Sequence, residues 1–340
     1  MFHFTTYFDK NYLSRGLVLY DSLKQHCVQF ELYILCLDDY TLNYFQVNIE
    51  KYPEIKTFSL NEIEEYDIEL KESKKNRSLI EYYFTLSPCL PLYILKKYNI
   101  PHICSLDADI MFFSSPAVIF SYLEKYSILI TPHNFSPETK SREIYGKYNV
   151  SFQIFKNDEQ GLICLENWRS QCIDWCYDKL EDGKFADQKY LDDWENKYEG
   201  VHPINVLGSG VAPWNINAYA IKVDNNQLYI NDDKLIFYHF HGLRSFGQKL
   251  FVHRLTDYGV KINKMITRHI YKPYIKNILI HQLINDYGII RMNTHSPLKI
   301  ILFQDWFYYK AGILFEKNKF LKFLSRSIIC TKNNIKKWLK

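Results

Sequence analysis

Apolar and polar positions alternate from the first residues. Phe2 to Tyr7 has the period of a strand, and Asp9-Lys10-Asn11 breaks it. Tyr12 to Lys24 then carries Leu13, Leu17, Tyr20 and Leu23 at helical spacing. Glu31 to Leu37 predicts a second strand, stopped by Asp38-Asp39, and Lys56 to Leu60 a third. The charged stretch 61–77 predicts a surface loop or a solvated helix. Ser78 to Leu86 and Leu90 to Lys97 predict two helices separated at Pro88, the second ending before Pro101. Apolar runs at 103–113, 127–131 and 150–155 predict further strands. Gly161 to Leu180 predicts a helix with Trp168, Cys172 and Trp175 on one face. Strands alternating with helices indicate an α/β sheet covered on both faces.

One of these runs carries chemistry. Ile103-Cys104-Ser105-Leu106-Asp107-Ala108-Asp109-Ile110-Met111 sets two carboxylates one residue apart in apolar surroundings. Charge there needs a partner. On a strand, both would point to one side with Ala108 opposite. Where the strand ends, the pair could open into a cleft and grip a hard divalent cation, Mg²⁺ or Mn²⁺, that bridges to phosphate oxygens. The pattern alone is common, and a strand ending in a turn capped by Asp107 would produce it too.

Composition adds bounds. The 340 residues are 47% hydrophobic, with 28 Tyr and 23 Phe, enough for a sizeable core in one large domain or in one plus an appendage. The 8 cysteines form no C-x-x-C pair, which favours reduced core thiols over a zinc site. No basic segment leads into an apolar stretch at the start, and no apolar run reaches about eighteen residues. A cytoplasmic protein is expected. Net charge is only +4, yet residues 261–340 hold 16 Lys and Arg against 3 Asp and Glu. From 313 to 340 apolar residues recur between basic ones. This is a packed terminal helix or one lying on an anionic membrane face. The expected division is residues 1–250 as an α/β domain and 251–340 as a basic, mainly helical extension. No nucleic-acid motif accompanies the basic tail.

Several segments together resemble the retaining family 8 glycosyltransferases, the class containing glycogenin and bacterial lipopolysaccharide galactosyltransferases. They are most similar to bacterial glycosyltransferase-like proteins of unassigned specificity. The resemblance runs in order from residue 2 to about 250. It implies a GT-A fold, a Rossmann-like sheet that binds a nucleotide sugar. It places Thr6, Tyr7 and Asp9 of Thr5-Thr6-Tyr7-Phe8-Asp9 at the base and ribose, and Arg77 of Asn76-Arg77-Ser78 near the donor. Asp107 and Asp109 match the family's D-x-D, with Ala108 against the donor. Asn149-Val150-Ser151 is similar to its N-A-G segment, with Ser in place of Gly. Asp187-Gln188 matches its catalytic D-Q pair, for which the alternative is a carboxylate capping a helix. Phe237-Tyr238-His239-Phe240-His241-Gly242-Leu243-Arg244 resembles its H-F-x-G segment. That register makes His239, not His241, the third metal ligand and puts Gly242 at the diphosphate. The usual lysine that follows is missing, and Arg244 could replace it.

The implied activity is metal-dependent transfer of a sugar, from UDP-sugar or a related donor, to a glycan or lipid-linked acceptor in bacterial surface polysaccharide synthesis, with retention of configuration. The alternatives are a non-catalytic nucleotide-sugar or glycan binder and a phosphatase of the haloacid dehalogenase class. The phosphatase expects its first Asp near the chain start and a different continuation.

Overall fold

The computed structural model describes residues 1–246 and 250–287. The strands are β1 Phe2–Phe8, β2 Phe30–Cys36, β3 Ile55–Ser59, β4 His102–Leu106, β5 Ile110–Phe112, β6 Ile128–Pro132, β7 Tyr148–Lys156 and β8 Val201–Pro203, followed by β9 Ile221–Asp224, β10 Gln227–Ile230, β11 Asp233–Lys234, β12 Phe237–His239, β13 Arg244–Phe246 and β14 Leu250–Val252. The helices are α1 Leu13–His26, α2 Asp39–Val47, α3 Leu60–Tyr66, α4 Ile68–Ser73, α5 Leu79–Tyr98, α6 Ala117–Phe120, α7 Glu159–Asp174, α8 Trp194–Lys197, α9 Lys264–Ile266 and α10 Lys272–Tyr287.

Seven strands form the central sheet in the order β3-β2-β1-β4-β7-β6-β8. β3, β2, β1 and β4 run parallel, β7 is antiparallel to both β4 and β6, and β8 is parallel to β6. The side chains of each strand alternate between two faces, and each face has its own core. Phe4, Leu32, Ile34 and Ile154 pack with Leu17 and Leu23 of α1. On the other face, Leu35, Ile103 and Phe155 pack with Leu90 and Ile94 of α5 and with Trp168 of α7. Gly16 sets how closely α1 approaches the sheet, because a Cβ there would meet the Phe8 ring at 2.3 Å.

A third core lies beyond the sheet. It joins Tyr238 and Phe240 to Tyr271, Tyr274 and Ile278. α10 packs on α1, and Asp21 meets His281 at 2.7 Å. The short ribbon β5–β12 links this core to the sheet, with His239 opposite Ile110.

Four expectations from the sequence change. β4 ends at Leu106, so Asp107, Ala108 and Asp109 form a turn in which the Ile110 amide donates to the Asp107 carbonyl at 3.3 Å. α5 is one helix through Pro88 and Pro91, both buried. Burial of its apolar face against β4 and α7 outweighs the two lost backbone bonds. The charged stretch 61–77 folds as α3, α4 and a 3-10 turn. Its acids turn inward: buried Glu64 accepts from Tyr82 Oη, and Asp67 caps α4 and takes the Arg169 fork. α7 ends at Asp174, six residues early, where Trp175 is already extended.

Cys27, Cys36, Cys89, Cys104, Cys164, Cys172 and Cys176 are buried and unpaired. Cys330 and the amphipathic stretch 313–340 lie outside the described residues. Among the described residues, no helix is long and apolar enough to cross a membrane.

Candidate active site

The turn after β4 and the end of β12 meet. Antiparallel pairing brings His239 beside Asp109, and the Phe240 amide donates to the Asp109 carbonyl at 2.9 Å. His239 Nε2 lies 3.1 Å from Asp109 Oδ1 and 3.4 Å from Asp107 Oδ2. One ligating atom from each of the three residues lies within 4.8 Å of the others. Two carboxylates and an imidazole in this arrangement suit a divalent cation.

The charges are interdependent. Burial lowers the proton affinity of His239, but the charges of Asp109 and Asp107 overcome it and raise the imidazole. Burial pushes Asp109 up, and the His239 charge and hydrogen bond, helped by Arg15, hold it below the usual carboxylate range. Asp107 is raised by burial, against the pull of His239.

His241, two residues on, is exposed, its ring centroid 5.5 Å from that of His239. Trp214 touches both edge-on at 5.3 and 5.5 Å. Asn215 is structural: its side chain donates to the His133 and Gly210 carbonyls and accepts from the Ala212 amide, each at 2.9 Å. The turn closes with the Leu243 amide donating to the Phe240 carbonyl at 3.1 Å, and Gly242 has φ +77°, the left-handed position of a type II turn. Arg244 is exposed at the start of β13.

Asp187 is 2% exposed and lies near enough to Asp107 for its charge to be felt. It precedes a 3-10 turn over 188–193, at whose start its side chain makes no capping hydrogen bond among the described residues. Its carbonyl accepts from Trp168 Nε1 at 2.9 Å, and one carboxylate oxygen, Oδ2, is buried with no hydrogen-bond partner among the described residues. Burial raises this carboxyl to about 7, against a hydrogen bond from Ser87. Gln188 Nε2 donates to the Tyr145 carbonyl at 2.9 Å.

The remaining candidates divide. Tyr7 is half-buried, and its hydroxyl is tied to α5, donating to the Tyr83 carbonyl at 2.9 Å and lying 3.2 Å from Ser87 Oγ. Thr6 is buried, its Oγ1 without a hydrogen-bond partner among the described residues, and Ala108 is buried beside the two Asp. Asp9 closes a turn on Asn11, accepting from its amide at 3.0 Å and from Nδ2 at 2.8 Å. Arg77 is not a surface side chain. It donates to the Ile173 carbonyl at 3.1 Å and lies 4.0 Å over the Tyr177 ring, bracing α5 against the end of α7. Asn149 is buried, donating to the Thr131 carbonyl at 3.3 Å and accepting from the Ser151 amide at 3.1 Å.

Three residues at the cluster were not singled out from sequence: Ser87, Tyr12 and Arg15. Tyr12 is 40% exposed, and the Asp109 and Asp107 charges reach it, since after burial they raise its hydroxyl. Arg15 is buried beneath it. A signal existed for Arg15: with Val18, Leu19 and Ser22 it makes an i, i+3, i+4, i+7 stripe, and all four are buried.

The fold and this site define a class. The galactosyltransferase LgtC, solved with donor and acceptor sugar analogs, aligns with TM-score 0.50 and 12% identity over 79% of this chain and 100% of its own. Apo WbbM, a bifunctional glycosyltransferase, aligns with TM-score 0.50 and 12% identity over 88% of this chain and 51% of its own. At such identity the likeness concerns the fold, which is the GT-A fold expected from the sequence. No family model matches the chain. The uncharacterized protein YfnD of Bacillus subtilis (strain 168) is 31% identical over 281 residues, covering 82% of this chain and 88% of YfnD. The chain therefore belongs to the YfnD family. YfnF of the same organism, also uncharacterized, is 28% identical over 253 residues, covering 71% of this chain and 81% of YfnF.

Proposed function

We propose that this chain transfers a sugar from a nucleoside diphosphate donor to a glycan or lipid-linked acceptor, with a divalent cation held by Asp107, Asp109 and His239. The observation that carries this reading is the meeting of these three side chains at the end of β4, in a GT-A sheet. The cation would supply positive charge where the departing diphosphate gains negative charge. The chain's own residues do the rest. Tyr12 offers an exposed aromatic face to the base, a task for which the sequence suggested Tyr7. Gly242 has no Cβ, so the turn backbone can approach the phosphates, with Arg244 beside it. Asp187, whose carboxyl feels the Asp107 charge, faces the sugar and stabilises positive charge developing at the anomeric carbon, with Gln188 orienting it. Retention of configuration, a UDP donor and a role in surface polysaccharide synthesis are part of the same proposal. So is docking of residues 313–340 on an anionic membrane face, which liposome sedimentation of the full chain against a truncation would test.

The deciding experiment is thermal stabilisation by a panel of nucleotide sugars with Mn²⁺ or Mg²⁺, followed by turnover. A ligand at about 100 times its Kd adds roughly 2.7 kcal/mol of stability. If no nucleotide sugar stabilises the chain with either ion, the reading is wrong.

A further inference from the structure

Arg15 is a guanidinium only 7% exposed, on the first turn of α1. A buried cation is costly unless something compensates it. Two partners converge on it, each from a different part of the proposed donor site. Its Nη2 donates to the Leu243 carbonyl at 2.8 Å, across 228 residues of sequence. Its Cζ lies 4.2 Å from the centroid of the Tyr12 ring. Among the described residues, no carboxylate pairs with it within 4.0 Å.

We propose that Arg15 is the positioning residue of the donor site, fixing Tyr12 and the 240–243 turn relative to one another before the nucleotide arrives. This rests on the donor reading above. The planar fork is suited to it. One edge can bond a carbonyl while the face stacks on an aromatic ring, which an ammonium does poorly. Gly16, the next residue, lets α1 come close enough to Phe8 to place the guanidinium there. Fixing the two parts in advance lowers the ordering cost of binding, so the effect belongs in nucleotide affinity more than in the chemical step.

The test is titration calorimetry of UDP with Mn²⁺ on the full chain, on Arg15→Gln and Arg15→Lys, and on His281→Gln as a control. His281 joins α10 to Asp21 on the same helix and takes no part in the cluster. Melting temperatures are read in parallel. Arg15→Gln should weaken UDP binding about tenfold or more, raising the donor KM with a much smaller change in kcat. Arg15→Lys should fall between it and the native chain. His281→Gln should lower the melting temperature yet leave the UDP affinity within about twofold. If Arg15→Gln binds UDP as the native chain does, or affinity falls in step with melting temperature in both variants, Arg15 serves only the fold and the inference is overturned. If the native chain binds neither UDP nor any nucleotide sugar, the donor reading fails and takes this inference with it.

Discussion

Phe240 and Tyr274 lie face to face, their ring centroids 3.6 Å apart and their planes 6° from parallel. The first ring follows His239 in sequence; the second belongs to α10. The helix beyond the sheet is thus packed directly on the segment that brings the imidazole to the carboxylates.

Tyr274 is 0% exposed, and its hydroxyl has no hydrogen-bond partner among the described residues. Tyr274→Ala should cost about 3–5 kcal/mol, as large aromatic truncations in cores do. It should also weaken Mn²⁺ binding, because the strand carrying His239 loses its support. Tyr274→Phe keeps the stack and removes an unsatisfied oxygen, so it should be neutral or slightly stabilising. Chemical denaturation of the three proteins checks both. A large loss in Tyr274→Phe would mean that the hydroxyl has a partner in solution.

The cluster predicts its own dissection. Asp107→Ala, Asp109→Ala and His239→Ala should each abolish metal-dependent thermal stabilisation by UDP. Asp109→Ala should also destabilise the metal-free protein more than Asp107→Ala does, because Asp109 is the closer partner of the His239 charge, 3.1 against 3.4 Å. His241→Ala should leave metal binding nearly intact. Metal binding that survives His239→Ala but not His241→Ala would shift the third ligand by two residues.

The two tyrosines proposed at the base can be separated. Tyr12→Ala removes an exposed ring and should weaken UDP binding by about 1–3 kcal/mol, a typical worth for base stacking on an aromatic side chain, with little loss of stability. Tyr7→Phe removes the hydroxyl bonds to α5, so melting temperature should fall while UDP affinity holds. UDP affinity that survives Tyr12→Ala but falls in Tyr7→Ala would return the base to Tyr7.

The sheet was legible because its strands alternate strongly, and the three-residue cluster because its pieces carry a recognisable order of motifs. What was not legible depended on contacts between distant segments. Pro88 and Pro91 argue locally against a continuous helix, and only packing on β4 and α7 makes α5 one piece. Asp67 and Glu64 read as solvated charges because Arg169 and Tyr82, their partners, are far away in sequence. Arg15 had the helical stripe in its favour, but nothing local announces a bond to the carbonyl of Leu243.

Asp187 yields a prediction with opposite signs for stability and activity. Burial raises its carboxyl from the ordinary value to about 7. The folded protein therefore prefers it neutral. The stability this contributes is fully present below the unfolded pKa of about 4 and is lost as pH rises through about 7. Over that window the native chain should lose stability relative to Asp187→Asn, by an amount on the order of 2–4 kcal/mol. Turnover should behave the other way. Stabilising a cationic sugar centre needs the carboxylate, so kcat/KM should rise with pH through the same region, and Asp187→Asn should be nearly inactive throughout. Denaturant titrations of both proteins from about pH 4.5 to 8 measure the first, and a pH–rate profile the second. Parallel stability curves for the two proteins would mean that the carboxyl titrates normally. An active Asp187→Asn would remove it from the chemistry.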